Sequence, residues 1–196
     1  MSVNAANLVL GPARIYYAAF GTSEPADSAV TPTGYLTPPG GSWVDFGGTD
    51  GGVTVEIDTT YTSLQVDQIV MDVGARLTEL KITVTAGLAE ITQTNIQQAL
   101  NSITSSGSGS GYITMDVQVP SSATQPTYSA LIIDGWAPYT SGGNPALRRA
   151  IVRKVLSQAK VTLSGDKKTQ QKVEATWQAY YVSSSINPLH LVDETT

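Results

Sequence analysis

The side chains able to do chemistry are few and scattered. The 196 residues include one histidine and no cysteine, so an imidazole base has a single candidate, and thiol nucleophiles, thiolate metal sites and disulfides have none. His190 stands in Pro188-Leu189-His190-Leu191 with no nucleophile elbow for it to serve, and reads as a surface or interface histidine. Ser157-Gln158-Ala159-Lys160 matches the S-x-x-K string of penicillin-binding enzymes. Its Ser-Asp-Asn and Lys-Thr-Gly partners are absent, and it falls between two strands where that chemistry needs a helix. Asp58, Asp67 and Asp72 could form a carboxylate cluster, but their spacing strings them along an extended arm instead of around a pocket. Asp50 lacks the further oxygen ligands of a calcium loop, and Ser105 to Gly111 lacks the Gly-Lys-[Ser/Thr] of a phosphate loop. Trp43, Trp136 and Trp177 read as core or interface residues; a sugar-binding platform would need them exposed on one face. Nothing in this set requires an enzyme, a cofactor or a metal.

Charge is sparse, at 14% of residues, and unevenly placed. Residues 1 to 147 hold 3 basic and 12 acidic side chains, a balance of −9, whereas 148 to 196 hold 8 and 4, a balance of +4, together the net −5. Arg148, Arg149, Arg153 and Lys154 form a basic block without interleaved aromatic residues, which fits an acidic face of a neighbouring subunit better than nucleic acid. The start carries no Lys or Arg up to Gly11 and only a short apolar patch, so no secretory signal is expected there. The long uncharged run from Ile91 to Met115 is too polar to span a membrane.

The elements that must position these residues are mostly strands. Val53, Val55 and Ile57 alternate with Thr54, Glu56 and Asp58, and Leu80, Ile82, Val84 and Ala86 alternate with Glu79, Lys81, Thr83 and Thr85. This period of two predicts a long antiparallel hairpin over 53–86, apolar on one face and polar on the other, turning somewhere within Asp67 to Ala75. An arm from Val53 to Val66 would span about 45 Å at about 3.3 Å per residue. Near its tip the parity changes: Leu64, Val66 and Leu77 fall on the polar face unless a bulge restores them, which makes the tip a contact with another molecule. Residues 21–42 carry too many Pro and Gly for an element and read as a loop or an arm ordered by a partner. A short amphipathic helix is expected within 91–103, with Thr92 as N-cap, Ile91 and Ile96 as a staple, and Ile96, Ala99, Leu100 and Ile103 facing inward. Ser105 to Gly111 reads as a flexible loop. Further strands are expected at Ala13 to Tyr17, Trp43 to Phe46, Tyr112 to Val119, Thr127 to Ile133, Arg149 to Ser157, Lys160 to Leu163 and Lys172 to Val182, with turns at Gly47 to Gly52 and Ser164 to Lys168.

Gly11-Pro12-Ala13-Arg14-Ile15-Tyr16-Tyr17, Asp50-Gly51-Gly52-Val53-Thr54, Val66-Asp67-Gln68 and Leu88-Ala89-Glu90 together resemble the major tail tube proteins of long-tailed siphophages, those of actinobacterial phages most closely. The resemblance extends through Gln125 to Leu131, Asp134-Gly135-Trp136-Ala137-Pro138 and Tyr181 to Ser185, nearly the whole chain. It implies a mainly β, single-domain tail tube fold of two packed antiparallel sheets, a sandwich or barrel with a flanking helix. It also implies hexameric rings stacked into a tube through which genomic DNA passes without specific binding. Tail tip, tape measure and tail terminator proteins would be the other partners, and the virion tail, assembled in the host cytoplasm, the location. On that reading Thr54, Glu56, Asp58, Glu79, Lys81 and Thr83 face the lumen. Leu64, Val66, Asp67, Gln68, Asp72, Leu77, Arg148, Arg149 and Arg153 meet neighbouring subunits. The competing expectation is a carbohydrate-binding or adhesive β-sandwich domain.

Overall fold

The computed structural model describes residues 11–30, 38–101, 103–141, 144–158, 160–163 and 170–194. Among these, the strands are β1 (Arg14–Ala19), β2 (Val44–Asp45), β3 (Thr49–Val66), β4 (Ile69–Leu88), β5 (Thr104–Gly109), β6 (Tyr112–Val117), β7 (Ser129–Ser141), β8 (Asn144–Ser157), β9 (Val173–Ala179) and β10 (Leu189–Asp193), with a helix α1 (Gln93–Ala99). The protein is mainly β, with antiparallel sheets. Eight strands form one sheet in the order β2-β1-β7-β8-β9-β4-β3, with β10 paired to β8 off this path, and β5 and β6 form a separate two-stranded ribbon. One edge of β8 is shared, since β10 takes Arg148 to Val152 and β9 takes Val155 to Ser157.

Alternation along each strand builds the layers. Ile15, Leu131, Val152, Val155, Val173 and Trp177 point to one core together with Val84 and Leu88 of β4 and Ile96 and Ala99 of α1. A single core fed by strands from both ends of the path means that the sheet curls upon itself. Consistent with that, the Phe46 amide donates to Ile15 O (3.1 Å) and Thr49 Oγ1 to Ala13 O (3.5 Å), bringing the beginning of β3 beside the beginning of β1. The opposite parity of β1, β7 and β8 supplies a second cluster outside the sheet: Tyr16, Ala18, Ala130, Ile132 and Ile151, covered by Trp43.

The expected helix is present and shorter. Thr92 Oγ1 caps it by accepting from the Asn95 amide (3.1 Å). It stops at Ala99 because Asn101 adopts φ +53°, where its side chain donates to Ser157 O and accepts from Ser157 N. Ile103 therefore leaves the inner stripe and is exposed. Ser105 to Gly111 is not a loop: it is β5 and the turn into β6. Gly107 and Gly109 lie so close to the Thr114 and Tyr112 side chains that a Cβ on either would clash, at 2.8 and 2.4 Å; these glycines make room for cross-strand neighbours. The expected turn at Gly47 to Gly52 is largely strand, with Gly51 and Gly52 (φ +80° and +81°) forming an irregularity between Asp50 and Val53. Lys160 to Leu163 has no strand. The expected turn at Ser164 to Lys168 lies outside the described residues.

Candidate functional site

The feature that stands out from the core is the hairpin of β3 and β4. β9 pairs with β4 only from Thr83 to Leu88, so beyond Ile57 opposite Ile82 the hairpin is a two-stranded ribbon. It runs about 30 Å to its turn, at about 3.3 Å per residue. The turn is the two residues Asp67 and Gln68, at the start of the expected range of 67–75. Its base is held by Lys172, whose ammonium contacts Glu174 (2.7 Å) and Asp50 (3.4 Å); hydrogen bonds to Glu174, then Asp50, raise its pKa above the ordinary lysine value.

The cross-strand register assigns the faces. Thr54, Glu56 and Asp58 stand opposite Thr85, Thr83 and Lys81, and Thr60 opposite Glu79. The six residues expected on one polar face therefore share it, and all but Thr83, which is partly covered, are exposed. On the other face Val53, Val55, Ile57 and Thr59 stand opposite Ala86, Val84, Ile82 and Leu80. Burial of this apolar set ends with the sheet: Val84 is 0% exposed, Ile57 56% and Leu80 52%. Ile57 and Leu80 thus carry the apolar face beyond the core, because the strands outrun the sheet that would cover them.

A bulge does interrupt the ribbon. Thr60 faces Glu79 and Tyr61 faces Leu77, which leaves Thr78 as an extra residue on β4. The Thr78 hydroxyl is used there, donating to Thr60 O (3.1 Å). The shift returns Leu77 to the apolar face beside Tyr61, so its expected place on the polar face is corrected, whereas Leu64, opposite Gly74, stays on the polar face; a further shift falls between Leu64 and Val66. Ile57, Leu80, Tyr61 and Leu77 consequently make one exposed apolar strip along the ribbon. The tip adds Ile69, Val70, Met71 and Val73, all exposed, which the sequence reading did not single out although they form the most apolar run near the turn. Asp72 is exposed beside them. Its carboxylate accepts from Ser63 and from Gln65 Nε2 (2.7 Å), which hold its pKa below the usual carboxylate range.

The basic block is used within the chain. Arg149 is 1% exposed and paired in bidentate fashion with buried Asp134 (2.7 and 2.6 Å), so it has no surface to offer a neighbouring subunit. Arg148 makes the same fork to Asp193 (2.6 and 2.6 Å), and Arg153 to Glu24 (2.5 and 2.9 Å). The expectation that Arg149 meets an acidic neighbour is corrected, because strand pairing of β8 with β7 buries it against Asp134; Arg148 and Arg153 are paired within the chain but keep exposed surface. The described flanks of the segment expected as an arm lie on this chain's own sheet, through Glu24, through Trp43 Nε1 donating to Ser23 O (3.0 Å), and through Asp27 against His190 Nε2 (3.0 Å).

The remaining chemical candidates are not brought together. Ser157 is buried and its hydroxyl donates to Ala99 O (2.7 Å) at the end of α1. Asp58, Asp67 and Asp72 occupy different registers of the ribbon, and no group of three metal-ligating side chains occurs among the described residues. Trp177 lies in the core, Trp43 is buried in the outer cluster, and Trp136 is 37% exposed, so the three share no exposed face. No helix among the described residues is long and apolar enough to cross a membrane. No protein-family profile matches the chain, and no curated protein sequence matches it.

Proposed function

We propose that this chain is a structural subunit that polymerises as stacked hexameric rings into a phage tail tube, a conduit for genome delivery. The observation that carries the reading is the two-faced ribbon without a third strand. An isolated two-stranded hairpin is marginal in water, and its free edges and apolar strip invite further strands. Ribbons from six copies joined edge to edge would form a closed barrel, removing the edges and turning the strip of Ile57, Tyr61, Leu77 and Leu80 outward, where the subunit bodies would cover it. The resemblance in sequence to siphophage tail tube proteins supports the same arrangement.

The opposite face would line the bore. Glu56, Asp58 and Glu79 against Lys81 and Arg76, which the bulge brings onto this face opposite Thr62, give each subunit a net −1 there, about −6 for six, in a wall otherwise rich in hydroxyls. Duplex DNA carries about one negative charge per 1.7 Å, so such a wall repels it at close range, where a Debye length of about 8 Å leaves the field unscreened. Low friction, not affinity, is what a conduit needs.

Sedimentation and negative-stain imaging of the purified full chain test the reading. Rings or tubes with a bore are expected, alone or with a tail initiator; a strict monomer both in isolation and in virions containing it sinks the reading. Glu56→Lys with Asp58→Lys is expected to leave tubes intact while slowing DNA ejection, more at low salt than at high. Unchanged ejection at low salt would remove wall charge from the mechanism.

A further inference from the structure

We propose that the hairpin tip of one copy seats Val70 and Met71 in a pocket on the outer face of a second copy. The inference rests on the self-assembly reading above and names the socket that the ribbon's end would use. The pocket has a volume of about 350 Å³, at the lower end of the range typical of small-ligand sites. Its floor is Ala130 and Ile151 on the outside of β7 and β8, and its sides are Phe20, Trp43, Val182 and Ile186.

The walls are fixed in the single chain. Arg153 is held by the Glu24 carboxylate and by Asn187 O (2.7 Å), and Trp43 is tied through its indole N–H to Ser23 O. The socket is therefore preformed, which lowers the ordering cost of filling it. With Arg153 neutralised by Glu24, the charge left nearby is Lys154, which does not line the pocket itself but stacks on Phe20, one of its walls. Its ammonium lies over the Phe20 and Tyr128 rings (5.5 and 4.4 Å), and no carboxylate lies within salt-bridge distance of it among the described residues.

The tip has the complementary properties. Val70 is fully exposed and Met71 78% exposed at the end of the ribbon, and methionine adapts its shape to irregular apolar sites. Asp67 and Asp72 flank them, with no Lys or Arg between residues 65 and 75. An acidic apolar knob thus faces an apolar socket with an uncompensated cation behind its Phe20 wall. Knob and socket are different surfaces of one chain, so the contact is heterologous. Unless two copies exchange tips reciprocally, such a contact propagates from copy to copy as a ring or filament.

The chain has no cysteine, which makes disulfide trapping clean. Full-length Met71→Cys and Ile186→Cys variants, mixed and mildly oxidised, should form a cross-linked pair. Docking raises the local thiol concentration, so the yield should exceed by about tenfold or more that of Met71→Cys with a Tyr112→Cys control on β6. Adding Val70→Asp to the Met71→Cys chain should abolish the cross-link without changing the thermal unfolding of the monomer. Rings or tubes that form without the cross-link overturn the socket contact and leave the tube reading standing. A cross-link in assemblies that have no bore supports the contact and overturns the tube. Preferential bonding of Ile186→Cys to Leu8→Cys or Leu36→Cys within one chain means the pocket is filled by the chain itself, and overturns the proposal.

Discussion

The two ends of the β3–β4 hairpin follow one pattern and meet opposite fates. At the base, Val84, Ala86 and Leu88 are sealed between β9, the curled sheet and α1; towards the tip, Ile57, Leu80, Tyr61 and Leu77 continue the apolar face into solvent. The two strands stay antiparallel partners throughout, interrupted by bulges and register shifts. What changes is the number of neighbours, because β9 ends its contact with β4 at Thr83. An alternating strand states that one of its faces needs cover and leaves open whether that cover comes from the same molecule.

This contrast can be broken at either end. The largest effect belongs to the base: Trp177→Ala removes a ring packed against Phe46 (centroids 5.4 Å apart) in the core. It should lower the unfolding free energy by about 3–5 kcal/mol, measured by urea denaturation of the monomer. A loss near that of a surface substitution would mean that the core does not close around β9. Next comes the helix that covers the core just past β4. Thr92→Ala deletes its cap and should cost about 1 kcal/mol, read in the same titration, with Thr92→Ser restoring most of it.

At the projecting end the order of effects inverts. Leu80→Asp should change monomer stability by no more than about 0.5 kcal/mol while abolishing assembly in sedimentation; a large destabilisation of the monomer would place the apolar strip inside the fold. The smallest effect is at the tip. Asp72 has a depressed pKa, so its hydrogen bonds with Ser63 and Gln65 contribute above the unfolded-state pKa and are lost as pH falls through the folded value. Its carboxyl should titrate below an ordinary aspartate by NMR, and Gln65→Leu should move the midpoint upward. An unmoved midpoint would remove the Gln65 contact from the tip's order.

Much of this organisation was legible in the residues. The period of two over 53–86 located the hairpin and its two faces, and Thr92 with Ile96 located the helix, because alternation and capping are written in neighbouring positions. Glycine misled in two places for one reason: at Gly51-Gly52 and in β5 it serves a bulge and close cross-strand packing, not chain freedom, and the partner that decides this is remote in sequence. The bulge at Thr78 is likewise invisible in composition, yet it alone moves Leu77 to the other face.

The sequence by itself determined which faces would be apolar, since side-chain order and backbone period are local properties of the chain. Only the tertiary structure decided where burial stops and which charges are spoken for. Arg148 and Arg149 stand next to each other in the sequence, but one forks to Asp193 on β10 and the other to Asp134 on β7. Successive residues of a strand point to opposite faces, and register, set by pairings 15 and 45 residues away, brings a carboxylate to each.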